Sequence, residues 1–226
     1  MRDHSGKIIE ISITPLHQVI VNVPTGLGFN LGQYFLLSQN GSNKPAAERR
    51  RIFPTEVGPN LYTFLHPNLE DLYPGEVVFL FGPIGKGLQL GMGTNKLLYV
   101  SYTSENLLLA GLTQYIKHPR QNLTVVTKTE MAGLTGERIK YGNHKELVDL
   151  LMECEICILE INCLNDYETF KTACGDNWGN LQEKVKIFMA GVDACHATGN
   201  CGLCSIDFEG KKILLCKDGP FFNGIP

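Results

Sequence analysis

Short apolar runs separated by Gly, Pro and Asn open the chain. Residues 7–13 (KIIEISI), 18–23 (QVIVNV), 33–37 (QYFLL), 61–65 (LYTFL) and 77–81 (VVFLF) are rich in Ile, Val, Phe and Tyr. Runs of that length and composition predict β-strands, and their spacing suits an antiparallel barrel or sandwich. No helical period interrupts them, so the pattern predicts an all-β domain over residues 1–92.

The rhythm then changes. Apolar runs at 96–101 (KLLYVS), 123–128 (LTVVTK), 156–161 (ICILEI) and 184–189 (KVKIFM) predict buried strands. Between them, 105–115 (ENLLLAGLTQY), 144–152 (HKELVDLLM) and 166–173 (DYETFKTA) carry apolar residues at helical spacing. Leu147, Leu150 and Leu151 share one face of the second of these. Alternating strands and helices predict a parallel α/β sheet over residues 93–190. Residues 191–226 form a third segment, dense in Gly, Asn and Cys as far as Cys204. Beyond it, 205–208 and 212–216 around Gly210 predict a small hairpin. This segment is too short for a core of its own, and a bound metal group can replace one by tying its loops together.

A chain of 226 residues suits two domains. With 43% hydrophobic and 19% charged residues and a net charge of -3, it has the balance of a globular protein. Arg49, Arg50 and Arg51 are its only basic triplet, too short for a nucleic-acid footprint. No nucleic-acid partner and no charged membrane surface is expected. No apolar stretch reaches the ~18–20 residues of a spanning helix, so no transmembrane segment is expected. The opening residues, MRDHSG, carry no secretory signal pattern. The expected location is the cytoplasm.

All eight cysteines lie in the last third of the chain. A disulfide framework would spread its links, and in a reducing compartment such a cluster favours metal or redox chemistry. Four of them read Cys195-x5-Cys201-x2-Cys204-x11-Cys216. Thiolates suit iron, and the three-and-one grouping is close to the plant-type ferredoxin pattern for a [2Fe–2S] cluster. Gly199 and Gly202 allow backbone N–H groups to turn towards the sulfurs. Zinc also takes four thiolates, but its sites usually show two short-spaced pairs. Cys154 and Cys157 form a further C-x2-C pair. The apolar run after them reads as a buried strand, so these two, with Cys163 and Cys174, are expected to be core cysteines. His196 adjoins Cys195 and is a further potential ligand that four cysteines make unnecessary.

The residues Ala194-Cys195, Gly199-Asn200-Cys201-Gly202-Leu203-Cys204 and Cys216-Lys217-Asp218-Gly219-Pro220-Phe221-Phe222 resemble the C-terminus of the electron-transfer subunit of class 1B dihydroorotate dehydrogenases. This is an iron–sulfur flavoprotein within the ferredoxin-reductase-like superfamily. The order of barrel, α/β domain and cluster loop is similar too. Gly82-Pro83-Ile84-Gly85-Lys86-Gly87 resembles that family's GPLGxGF segment. The resemblance implies FAD against the barrel, with Arg51, Phe53, Gly85, Lys86 and Gly87 as cofactor-binding positions. It implies NAD(P)H at the α/β domain and a [2Fe–2S] cluster on Cys195, Cys201, Cys204 and Cys216. Electrons would pass to a catalytic flavoprotein partner in pyrimidine biosynthesis. The chain would be an oxidoreductase component, with no catalytic residue of its own.

Departures stand against that pattern in three places: the flavin motif, the nucleotide turns and the cysteine spacing. In Arg51-Ile52-Phe53-Pro54, proline replaces the hydroxyl residue of the flavin motif and has no N–H to donate. Where the family has a glycine-rich phosphate loop, Ser101-Tyr102-Thr103-Ser104-Glu105-Asn106 has no glycine, and Glu105 would repel a phosphate. The CGP turn after a later strand is replaced by Asn162-Cys163-Leu164. NAD(P)H is therefore not expected. The gap between Cys195 and Cys201 is also one residue longer than usual. Two alternatives follow. One is a derived homologue without nicotinamide binding, serving as an electron wire or structural subunit in another redox complex. The other is a zinc-stabilised interaction module. On the bland readings, Gly82–Gly87 is a plain turn and Arg49–Arg51 a solvated loop.

Overall fold

The computed structural model describes residues 2–13, 17–39, 49–66, 72–90, 94–103, 106–116, 121–127, 139–190, 204–208 and 210–223. The chain divides into two units, Met1–Leu88 with Val192–Pro220, and Gln89–Gly191 with Phe221–Pro226.

Six strands form a closed antiparallel barrel in the first unit: β1 (Arg2–Ile13), β2 (His17–Asn22), β3 (Tyr34–Ser38), β4 (Arg50–Gly58), β5 (Leu61–His66) and β6 (Val77–Ile84). Their order is β1-β2-β5-β4-β3-β6, with β6 pairing both β3 and β1. Strand alternation sends Ile8, Val19, Val21, Phe35, Leu37, Ile52, Phe64, Val78 and Leu80 into one core. The sequence pattern does not foretell β4. Its run RRIFPTEVG contains three charges, a proline and a glycine, all poor strand formers. Pairing overrides that weak propensity. Pro54 is tolerated because β4 pairs β3 only from Leu37↔Arg50 to Phe35↔Ile52; beyond Ile52 the pairing with β5 alone continues.

The second unit holds a parallel sheet of β7 (Lys96–Ser101), β8 (Asn122–Thr127), β9 (Ile139–Tyr141), β10 (Ile156–Ile161) and β11 (Val185–Met189). The helices α1 (Leu109–Tyr115), α2 (Leu147–Glu153), α3 (Leu164–Cys174) and α4 (Trp178–Leu181) connect its strands. Strands covered on both faces read as continuous apolar runs, and β7 and β10 are buried over nearly their whole length. The three-residue β9 and the turns around α4 leave no periodic signal. Helix α1 is shorter than its apolar spacing predicts, because Asn106–Leu108 form a turn before it.

In the first unit, β12 (Ser205–Phe208) and β13 (Lys211–Leu214) pair as the expected hairpin, with Gly210 at φ +78. Strand β14 (Phe221–Asn223) adds to β11 antiparallel, so the second sheet runs β14-β11-β10-β7-β8-β9. Among the described residues no helix is long and apolar enough to cross a membrane.

Cys154, Cys157 and Cys174 are buried, as their apolar surroundings imply, but Cys163 is exposed. It is the N-cap of α3, where its side chain accepts the N3 amide and Asp166 reaches back to the Cys163 N–H at 3.2 Å. The capping position, hidden in a run read as strand-to-loop, explains why this thiol leaves the core. Burial pushes the thiols of Cys154 and Cys174 up to about 11, from 9.0. These neutral thiols favour the folded state fully below pH 9.0, and that contribution is lost as pH rises through about 11. Urea midpoints of the second unit should therefore fall across that interval. Brief alkylation of the native protein with iodoacetamide, read by peptide mass spectrometry, should label Cys163 and spare Cys154, Cys157 and Cys174.

Candidate functional site

Two of the four candidate cluster cysteines lie within the described residues. Cys204 precedes β12 and Cys216 follows β13, so the hairpin's open end brings the two together. The Leu215 N–H donates to the Cys204 carbonyl at 3.1 Å, and the Cys216 N–H donates to Cys204 Sγ at 3.4 Å. A turn fixes the second cysteine: Asp218 Oδ2 accepts from the Leu214 N–H at 3.0 Å while the Asp218 N–H donates to the Leu214 carbonyl at 2.7 Å. Cys204 is buried and Cys216 half-buried, and neither is in a disulfide. An N–H donor on a cysteine sulfur stabilises thiolate character and suits metal ligation. Cys195, His196 and Cys201 lie outside the described residues. Among the described residues no group of three or more His, Cys, Asp or Glu side chains converges.

The Gly82–Gly87 segment meets the other half of the sequence resemblance. The Lys86 N–H donates to the Gly219 carbonyl, and Lys86 bridges Pro220 in parallel. A Cβ on Gly85 would lie 2.5 Å from Pro220 Cδ and 2.6 Å from the Gly219 oxygen, and Gly85 has φ +83. A Cβ on Gly87 would lie 2.3 Å from the Cβ of Asn30. The Gly85 carbonyl accepts from Gln33 Nε2 at 2.8 Å. These glycines are where the chain's own backbone crosses itself closely. The segment is more than a plain turn, since it seats the tail that follows Cys216.

Arg51, Phe53 and Thr55 alternate onto the barrel's outer face with Tyr34 of β3. The Arg51 guanidinium lies 5.7 Å from the Tyr34 ring centre and 5.4 Å from that of Phe53. The two rings are 6.0 Å apart. Arg51 is only 8% exposed, which removes it from a solvated loop. A cation, two rings and the Thr55 hydroxyl are groups of the kind that suits a flavin nucleotide. Pro54, paired with Phe64, supplies no donor. Tyr34 and Thr55 escape the sequence reading because β4 itself does.

In the second unit, β7 is followed by a turn to α1 and β8 on one side, while β10 lies on its other side. The order reverses between β7 and β10. Glu160, at the carboxyl end of β10 and in register with Ser101, is completely buried there. Its Oε1 accepts from Thr103 Oγ1 at 2.9 Å and the Leu107 N–H at 2.8 Å. Its Oε2 accepts from the Tyr99 hydroxyl at 2.7 Å and the Leu108 N–H at 3.0 Å. The Tyr102 N–H donates to the Glu160 carbonyl at 3.0 Å. After β10, Asp166 Oδ2 accepts from the Asn162 N–H at 2.9 Å and that of Cys163. Ser104 and Glu105 lie outside the described residues. One glutamate within the otherwise apolar ICILEI is the signal that could have found Glu160.

No protein-family model matches this chain, and no curated protein does. Solved structures do. The ferredoxin reductase of carbazole 1,9a-dioxygenase superposes with TM-score 0.58 at 13% identity, covering 76% of this chain and 64% of its own. The fold is ferredoxin-reductase-like. A cytochrome P450 reductase from Amycolatopsis gives TM-score 0.57 at 15% identity, covering 76% of this chain and 65% of that one. Phthalate dioxygenase reductase, described as a modular structure for electron transfer from pyridine nucleotides to [2Fe–2S], gives 0.58 at 11% identity, covering 87% of this chain and 70% of its own. At such identities the likeness concerns fold. This chain spans less than two thirds of the length of the first two.

The Gly85–Gly219 crossing has a measurable consequence. Gly85→Ala adds a left-handed strain and a clash, and should cost about 2–4 kcal/mol in urea unfolding of the barrel unit. Gly28→Ala, where a Cβ meets nothing within 4 Å, should stay within ~0.5 kcal/mol of wild type.

Proposed function

We propose that this chain is an electron-transfer subunit carrying a [2Fe–2S] cluster on Cys195, Cys201, Cys204 and Cys216. The observation that carries the reading is the pairing of Cys204 with Cys216, whose N–H meets the Cys204 sulfur, at the end of a four-cysteine pattern. Such a cluster supplies one-electron transfer. The chain's own part is to present thiolates, to supply N–H donors that offset their charge, and to hold the ligand loop on a rigid base. The hairpin, the Asp218 turn and the Gly85–Gly219 crossing form that base.

By its sequence resemblance the acceptor is a catalytic flavoprotein of the dihydroorotate-dehydrogenase kind. Arg51, Phe53 and Tyr34 support a flavin nucleotide on the barrel, with the Arg51 cation facing phosphate. Gly85 and Lys86 then serve as supports of the cluster tail, since Gly219 already takes the Lys86 N–H, while Gly87 lets the segment pass close to Asn30.

Anaerobic purification with iron, sulfide and flavin analysis tests the reading. About two irons and two sulfides per chain, with a reduced-state electron paramagnetic resonance signal, are expected. Cys201→Ser and Cys216→Ser should each remove the signal. A colourless protein holding zinc would refute it. Arg51→Ala should lower flavin content several-fold without changing iron content.

A further inference from the structure

The ferredoxin-reductase-like fold implies a nicotinamide dinucleotide at the α/β unit. In open α/β sheets such ligands bind outside the carboxyl ends of the strands, where strand order reverses, with phosphate on the N–H groups of the first strand-to-helix turn. Here that place lies between β7 and β10, and the residues there do not fit the group. We infer that the chain fills this crevice with its own carboxylates, Glu160 standing where a dinucleotide's phosphate would need to find free donors.

The hydrogen bonds carry the point. The N–H groups of Leu107 and Leu108, in the turn into α1, both end on Glu160 at 2.8 and 3.0 Å. The Thr103 hydroxyl accepts from the Asn106 N–H at 3.1 Å, which leaves its proton for Glu160. Across the crevice, the N–H groups of Asn162 and Cys163 end on Asp166. Both turns that flank the reversal have spent these donors on internal carboxylates. A phosphate arriving there would find no free N–H among them and would meet a second negative group.

Burial pushes the Glu160 carboxyl above the usual carboxylate range, while the Leu108, Tyr99, Leu107 and Thr103 donors pull it back. The crevice is filled in either protonation state, because the same atoms occupy it. Asn106, completely buried at φ +48, has no hydrogen-bond partner for Oδ1 or Nδ2 among the described residues. A neutral carboxamide does not offset a phosphate's charge, so it does not restore the missing cradle. Under the electron-transfer reading, on which this consequence alone rests, a nicotinamide nucleotide is not the direct donor to this chain.

Calorimetric titration of the full chain with NADH, and separately with NADPH, tests the filled crevice without reference to iron or flavin content. No saturable heat is expected up to about 1 mM. A dissociation constant below that value for either nucleotide overturns the inference and leaves the cluster proposal standing. Thermal melts supply the second arm. Glu160→Gln should lower the midpoint by about 3–10 °C, because an amide cannot accept from all four donors. A Glu160→Gln midpoint matching wild type overturns the filling role. Glu160→Ala, where it folds, should regain part of its lost midpoint in about 100 mM formate relative to equal chloride. Wild type should not respond, and equal responses count against the inference.

Discussion

A carboxylate cut off from water must find its partners within the protein, because an unpaired buried charge costs several kcal/mol. Glu160 is completely buried and finds four. Hydrogen bonds to charged groups contribute about 1.5–3 kcal/mol each, so four together offset that cost and leave little freedom in what surrounds them. The requirement propagates outward. Tyr99 must stand at its place in β7, and Thr103 must turn back towards β10. The chain must also bend at Asn106, in the left-handed region, to aim two successive N–H groups at one side chain. The path of Asn106–Leu108 ahead of α1 is thus tied to a single residue on a different strand. No glycine stands at these positions. Glycine serves such turns where a ligand's phosphate must approach the backbone, and here the approaching group is a side chain already attached to the sheet.

The barrel unit shows the same substitution of self-contact for ligand contact. Gly85 and Gly87 sit in a segment whose likeness to a flavin-protein motif suggests cofactor binding. Each glycine is used where two stretches of this chain pass within van der Waals distance: Gly85 against Gly219 and Pro220, Gly87 against Asn30. A tail as short as the one after residue 191 cannot bury enough apolar surface to fold alone. Its Gly219–Pro220 strap gains order from the barrel segment it meets. Cys204 and Cys216 are consequently held by backbone hydrogen bonds before any metal is considered.

Most strands of both sheets were legible because their signals are local, though the three-residue β9 and β14 were not. Continuous apolar runs mark β7, β8, β10 and β11, and alternation marks the barrel core. Strand β4 was not, since RRIFPTEVG has the composition of a loop and becomes a strand only through its neighbours β3 and β5. With it went Thr55, which alternates with Arg51 and Phe53 along β4, and Tyr34, which meets them by cross-strand register. Cys163 was misplaced because capping depends on where a helix starts, and a strand ending in Ile161 gives that boundary no clear mark. Glu160 was missed for a different reason. A polar residue in a buried strand is informative only when its partners are known, and all four of its donors lie more than fifty positions away.

Fold and ligand are therefore separable in a specific way. The reversal of strand order between β7 and β10 belongs to the backbone topology and is shared with reductases at 11–15% identity. Whether a nucleotide can use the reversal depends on something topology does not fix, the number of N–H donors left without an internal acceptor. At the two turns flanking this reversal, four N–H donors already end on internal acceptors, Glu160 and Asp166. A sheet that satisfies its own turns gains rigidity and loses a docking site by the same hydrogen bonds. If the crevice is filled as inferred, the second unit serves as scaffold and not as a docking site, which suits a chain whose proposed chemistry lies with the cysteines of the other unit.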